Sequence, residues 1–213
     1  MVKEKILLLG GGGHCKSVIE AIESERRFEI AGILDSLDKI GQKILGYSIL
    51  GTDPELADFV KNIPNVIITV GQLEDGTKRE HLYKLVKSTG ANLPVVIASS
   101  AQVSKHARIA EGSVILHQAT VNANAVIGVN TIINTSAIIE HDAAIGDHCH
   151  ISTGAVINGN CTVGNRTLIG SNAVLKHGVG IEKDVVVGAG AVVINNVREH
   201  AVVAGNPAKE INK

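Results

Sequence analysis

Tryptophan is absent from this 213-residue chain, and aromatic residues make up 2% of it. All four rings (Phe28, Tyr47, Phe59 and Tyr83) precede residue 84. The rest of the chain must therefore fill its interior with small aliphatic side chains placed in a regular way. No run of 18 apolar residues occurs, so no membrane-spanning helix is expected. The opening Met1-Val2-Lys3-Glu4-Lys5, followed by "ILLLGGGG", lacks the long apolar core and cleavage site of a signal peptide. Excess charge of either sign is also missing: the formal net charge is −1, which gives no basic surface for nucleic acid. The three cysteines, Cys15, Cys149 and Cys161, make no CxxC pair and no even disulfide set, so a reducing, cytoplasmic setting is expected.

What is present divides into two halves with different periods. Residues 1–98 alternate apolar strand-like runs with helical ones, giving the first expected domain. "KILLL" (5–9), "FEIAGIL" (28–34), "NVIITV" (65–70) and "LPVVIA" (93–98) read as buried strands. Residues 14–24, 53–63 and 77–88 read as helices, the second opening on Asp53 as cap and Pro54 as first helical residue. Strand–helix alternation implies a small parallel sheet of the doubly wound kind, here half of a full Rossmann fold. Half a fold has room for one nucleotide and is a poor host for NAD.

Residues 99–213 form the second expected domain, where the period becomes six. From Val103 to Val193 every sixth residue is Val, Ile or Leu, and the residue two before each is small in nearly every case. This is the hexapeptide repeat of a left-handed parallel β-helix, a triangular prism with three hexads in each coil of 18 residues. Cys149 and Cys161 fall on the inward small position and read as core filler. The register also sorts the histidine-rich stretch "TSAIIEHDAAIGDHCHIS" (135–152). It places His141 and His148 at corners and His150 on an outward face. His141 stands between Glu140 and Asp142, and a carboxylate beside an imidazole fixes its tautomer and stabilises its protonated form. His141 and His150 lie nine residues apart, half a coil, so one site using both would be completed across a subunit interface.

In the first half, Gly10 to Gly13 join the first strand to the first helix, where backbone N–H groups can cradle phosphate. Asp35 ends the second strand, close to where dinucleotide folds carry a ribose-binding carboxylate.

With "GGGGHC" (10–15), "ILDS" (33–36), "ITVGQ" (68–72), "NTSAIIEHDAAIGDHCHIS" (134–152) and "VVAGNPAKEI" (202–211), the chain resembles the bacterial sugar acyltransferases of the sialic acid O-acetyltransferase family. That family includes nucleotide-4-amino-sugar N-acetyltransferases. The resemblance implies a homotrimer that uses acetyl-CoA as co-substrate, with no permanently bound cofactor and no metal. It implies His141 as catalytic base and Asp142 as its carboxylate partner. It places Gly12, Gly13, His14, Asp35, Ser36, Gly71 and Asn134 on the nucleotide-linked sugar, and His150, Gly159, Ser171 and Ala189 on acetyl-CoA. His150 or a backbone N–H would then donate to the thioester oxygen. Two positions depart from the family pattern: Cys15 follows Gly13-His14 where a glycine is usual, and Ser36 stands where some members have a second aspartate. N- and O-acetyl transfer, and uridine, guanosine and cytidine carriers, stay open. So does a zinc-binding or non-catalytic hexapeptide protein, although the short H-x4-H spacing of the zinc-dependent members is absent.

Overall fold

The computed structural model describes residues 3–72 and 76–211. Its first part is a sheet of five strands: β1 (Glu4–Leu9), β2 (Phe28–Leu34), β3 (Lys43–Ile44), β4 (Tyr47–Gly51) and β5 (Asn65–Ile68). The strand order is β3-β4-β2-β1-β5, with β4, β2, β1 and β5 parallel and only the β3–β4 hairpin antiparallel. Three α-helices flank it: α1 (Gly13–Glu25), α2 (Leu56–Val60) and α3 (Thr77–Ser88). β1 is buried from Ile6 to Leu9 and β5 throughout, as parallel strands covered on both faces must be.

Two expectations for this half are corrected. The run 93–98 is not a strand of this sheet: Val96–Ile97 pairs with Val114–Ile115 as the first strand of the prism. The fourth parallel strand is β4 instead, lying between β3 and β2 and too short and too mixed in polarity to announce itself. The helix expected over 53–63 is a 3-10 turn (Asp53–Glu55) running into the short α2. Its cap is Thr52 rather than Asp53, because the Glu55 carboxylate accepts from both the Thr52 N–H (2.8 Å) and the Thr52 hydroxyl (2.9 Å).

The second part is the left-handed prism. Each short strand pairs in parallel with the strand one coil away, as in Val121 with Val103 and with Ile139. The first face runs from Val96–Ile97 to Val202–Ala204 and is closed by the antiparallel Lys209–Glu210. The second runs from Gln102–Val103 to Val192–Val193, and the third from Arg108–Ile109 to Gly180–Ile181. The sixfold aliphatic and small positions form one buried core, including Cys149 and Cys161 at 0% exposure. Every sixth residue from Gly112 to Gly190 turns with positive φ, and Asp142 (61°) and His148 (56°) occupy two of these slots. A turn so tight favours Gly, Asn and Asp, which supply most of the series.

The first half packs against the first face. Outward residues there, Val114 and Leu116, join the core beneath α1. On the two other faces the outward residues are less covered. At the seam Arg79 of α3 is 1% exposed. Its guanidinium donates to the Val70 carbonyl and, through Nη2, to the Asn130 carbonyl (2.9 Å) and side chain. Arg166 adds a bridge, bidentate to Asp184 at 2.6 and 2.7 Å and reaching Glu80 of α3 at 3.3 Å.

The narrow interior yields a direct test. Cys149→Ala and Cys161→Ala should keep the melting temperature within about 4 °C of the parent. Cys149→Phe should leave no cooperative unfolding transition, since no neighbouring coil has room for a ring.

Candidate active site

His141 lies at the corner between the second and third faces, directly after Ile138–Ile139. Its Nδ1 is 2.8 Å from Asp142 Oδ2, and Asn124 holds the other carboxylate oxygen at 3.3 Å. These two hydrogen bonds, that from His141 first, keep the Asp142 carboxyl below its ordinary range. With Nδ1–H donating to the carboxylate, Nε2 presents a free lone pair, and the ring is 54% exposed. One coil on, Gly159 lies beneath the imidazole: a Cβ there would sit 2.7 Å from His141 Cε1 and 2.8 Å from Nε2. The space the ring occupies is the space a side chain at 159 would need. His177, a further coil along the same corner, has its ring centroid 6.2 Å from that of His141.

The glycine loop is built as the strand-to-helix spacing required. Asp35 is the hub of this loop. It accepts from Gly11 N–H (2.6 Å), from Ser36 N–H (2.7 Å) and from Lys39 Nζ (3.1 and 3.2 Å). Burial works to raise its carboxyl, but the Ser36 N–H, Lys39 and the Gly11 N–H together hold it below the usual range. Two adjoining cavities open beside this loop. One, of about 410 Å³, is lined by Gly10 to Gly13, His14, Gly71 and Lys78. The other, of about 440 Å³, continues past Asp35 and Ser36 to Asp53.

His14, Gly71, Asn134 and His150 meet where the two halves join. His150 stands on the outward face expected of it, but there the N-terminal half covers it: it is 8% exposed, beneath its own chain's Gln72. Its tautomer follows from its neighbours. Asn134 Oδ1 accepts from Thr135 N–H (2.7 Å), which turns the Asn134 amide nitrogen toward His150 Nε2 at 2.9 Å. Nε2 therefore accepts, and Nδ1–H donates to the Gln72 carbonyl at 2.9 Å. Both ring nitrogens are engaged, so His150 has no N–H left for a thioester oxygen, and the donor role expected of it is withdrawn. Burial and the Arg79 charge push the His150 pKa down to about 4, against the opposing Gln72 hydrogen bond. His14 stands 6.2 Å away, ring to ring. Burial first, then Arg79 and His150, bring its pKa down to about 3, and its buried Nε2 has no partner. Gly71 makes room for it, since a Cβ there would lie 3.3 Å from His14 Cβ.

Of the residues expected on acetyl-CoA, Gly159 lies with His141, whereas Ser171 and Ala189 follow the strands Leu168–Ile169 and Val186–Val187 of the first face. They therefore lie along the corner between the first and second faces. The expected site residues thus form two groups in one chain. Arg79, Gln72 and Lys78 were not singled out from sequence; nothing in their local pattern separates them from surface residues of a helix or loop. Among the described residues no three His, Cys, Asp or Glu side chains gather as a metal site, and no helix is long and apolar enough to cross a membrane.

A helix-flanked sheet with a glycine loop, joined to a hexapeptide prism bearing a His–Asp corner, defines a sugar acyltransferase of the hexapeptide class. Comparison with known proteins narrows the class. Residues 5–86 match the PglD N-terminal domain, and residues 161–194 the hexapeptide repeat of succinyl-transferase. A histidine-to-asparagine variant of perosamine N-acetyltransferase from Caulobacter crescentus, in complex with CoA and GDP-perosamine, is 30% identical with a TM-score of 0.93, covering 100% of this chain and 99% of that one. The acetyltransferase domain of PglB from Neisseria gonorrhoeae, in complex with acetyl coenzyme A, is 32% identical with a TM-score of 0.91, covering 99% and 100%. WeeI from Acinetobacter baumannii is 26% identical with a TM-score of 0.84, covering 98% and 100%. No match was found among curated proteins. The chain belongs to the bacterial sugar N-acetyltransferase family of perosamine N-acetyltransferase and the PglB acetyltransferase domain.

The contact beneath His141 is testable without substrate. Gly159→Ala should displace the imidazole and shift the His141 ring nitrogen signals in NMR, while the melting temperature moves by no more than about 2 °C. Unchanged ring signals would show that the ring does not rest on Gly159.

Proposed function

We propose that this chain is an acetyl-CoA-dependent N-acetyltransferase acting on the 4-amino group of a nucleotide-linked sugar in bacterial glycan biosynthesis, working as a cytoplasmic homotrimer. One observation carries the reading: the two functional groups of residues lie on opposite sides of the same prism. The glycine loop, His14, Asn134 and His150 gather at the first face. His141 stands at the corner between the second and third faces. In a triangle, that is the vertex opposite the first face. A sugar seated on one chain's N-terminal domain is therefore beyond the reach of that chain's own His141, and a neighbour's His141 must serve it. The second face beside this corner carries an outward row, Ile138, Val156, Val174 and Val192, that one chain leaves half-buried. Threefold packing through this row would cover apolar surface and bring one chain's His141 corner toward the next chain's first face.

In this arrangement the nucleotide lies along the glycine loop and Asp35, and its sugar extends past Gly71 toward Asn134 and His150. Acetyl-CoA lies between neighbouring prisms, along Gly159 of one and Ser171 and Ala189 of the other. The neutral sugar amine attacks the thioester carbonyl, forming a C–N bond. His141 Nε2 takes the proton that the amine must lose, and Asp142 stabilises the resulting imidazolium. Collapse breaks the C–S bond, and the proton returns to the departing thiolate, releasing CoA and the N-acetyl sugar. No acyl-enzyme is formed. Cys149 fits this course, since burial pushes its thiol up to about 12. An ammonium cannot attack, so the rate should rise with pH as the sugar amine deprotonates.

His141→Ala should lower turnover by roughly 10²- to 10⁴-fold with acetyl-CoA binding retained, and Asp142→Asn should cost less. Near-parental turnover of His141→Ala would overturn the assignment. A mixing experiment tests the shared site. Gly12→Glu places a side chain where no atom lies within 4 Å, but sets a like charge against the phosphates. Co-assembled one to one with His141→Ala, it should restore about a quarter of parental activity, because one site in four then has both groups intact. No restoration in confirmed mixed trimers would place both groups in one chain.

A further inference from the structure

The larger of the two cavities, about 440 Å³, lies beyond Asp35 from the glycine loop. Its walls include Leu37, Pro54, Val70 and Leu82, and Leu37 is left 76% exposed at the mouth. A cavity with these apolar walls, next to a glycine loop suited to phosphate, suits a nucleobase. Two carboxylates also line it, and they differ in kind. Asp35 is fully engaged by Gly11, Ser36 and Lys39 in building the loop. Among the described residues the Asp53 carboxylate has no hydrogen-bond partner and no ion pair within 4 Å. Nor is it needed as a helix cap, because Thr52 and Glu55 close that turn between themselves. Burial, and then the Asp35 charge, push its carboxyl upward against Lys78 and His81, as befits a carboxylate short of donors.

We infer that Asp53 reads the base of the nucleotide carrier and that the base is guanine. This rests on the nucleotide-sugar reading above and extends it to the carrier. A carboxylate offers two acceptors side by side. Guanine presents two adjacent donors, N1–H and the 2-amino group, and takes both. Uracil presents a single N–H flanked by two carbonyl oxygens that a carboxylate repels. Cytosine and adenine each present one amino group beside an acceptor ring nitrogen. Only guanine satisfies both oxygens of Asp53 without setting acceptor against acceptor.

The test is titration calorimetry of the intact protein with GDP, UDP, CDP and ADP, repeated on Asp53→Ala and Asp53→Asn. GDP should bind at least about tenfold more tightly than the other three, as a bidentate contact to a base provides. Asp53→Ala should erase that preference and leave UDP within about twofold of its parental affinity. Asp53→Asn offers one acceptor and one donor, and should shift the preference to xanthosine diphosphate, whose N1–H and C2 carbonyl match it. That gain cannot come from a merely structural role for Asp53. Equal binding of all four diphosphates, or an Asp53→Ala loss spread evenly over them, would overturn the base assignment and leave the nucleotide-sugar reading standing. Binding of none would overturn both.

Discussion

The parallel ladder between residues eighteen apart is the interaction on which the molecule depends. It closes the prism around a core of single aliphatic and small side chains, and so leaves no room for Phe, Tyr or Trp in its interior. The same ladder distributes the chemistry. Residues at one phase of the coil stack into columns, so Gly159 lies beneath His141 and makes room for its ring. Residues half a coil apart are sent to opposite sides. His141 and His150, separated by nine positions, stand on opposite sides of one chain, and the proposed division of labour between neighbours starts from that separation.

The seating of the N-terminal half on the first face is the second constraint. Arg79 is buried, has no carboxylate beside it among the described residues, and is solvated by carbonyl oxygens from both halves. A buried charge held in this way is costly unless its geometry is kept, which ties the end of β5 to the prism. The consequences reach the site. Gln72 is brought over His150 and takes its N–H, and the Arg79 charge adds to burial in keeping His14 and His150 neutral. The proposed sugar-binding end thus has neutral imidazoles at His14 and His150, while the proposed proton acceptor, His141 with Asp142, remains open to solvent in one chain.

The prism was almost wholly legible in the sequence because its rule is a strict period: sixteen aliphatic positions could be counted, and each turn residue follows at a set distance. The His–Asp corner followed from the same count. The N-terminal half was less legible. β4 is a short strand of mixed exposure, and Val96–Ile97 has the composition of a sheet strand but finds its partner one coil along the prism. The burial of His150 was illegible for a different reason. The period correctly sets it outward, but whether an outward residue meets water depends on where another domain packs, which no local pattern encodes. Arg79 and Gln72 escaped notice on the same ground, since their roles lie in contacts 51 and 94 residues away along the chain.

The account rests on direct transfer of an acetyl group from coenzyme A to an amine on a nucleotide-linked sugar. Its most direct test is thiol release from acetyl-CoA in the presence of nucleotide-linked 4-amino sugars, with the free amino sugar and sialic acid as controls and the product identified by mass and fragmentation. The account predicts thiol release only with the nucleotide-linked amino sugars, and one acetyl group on the amine nitrogen of the product. Acetylation of a sugar hydroxyl, or thiol release with the free sugars alone, would contradict it.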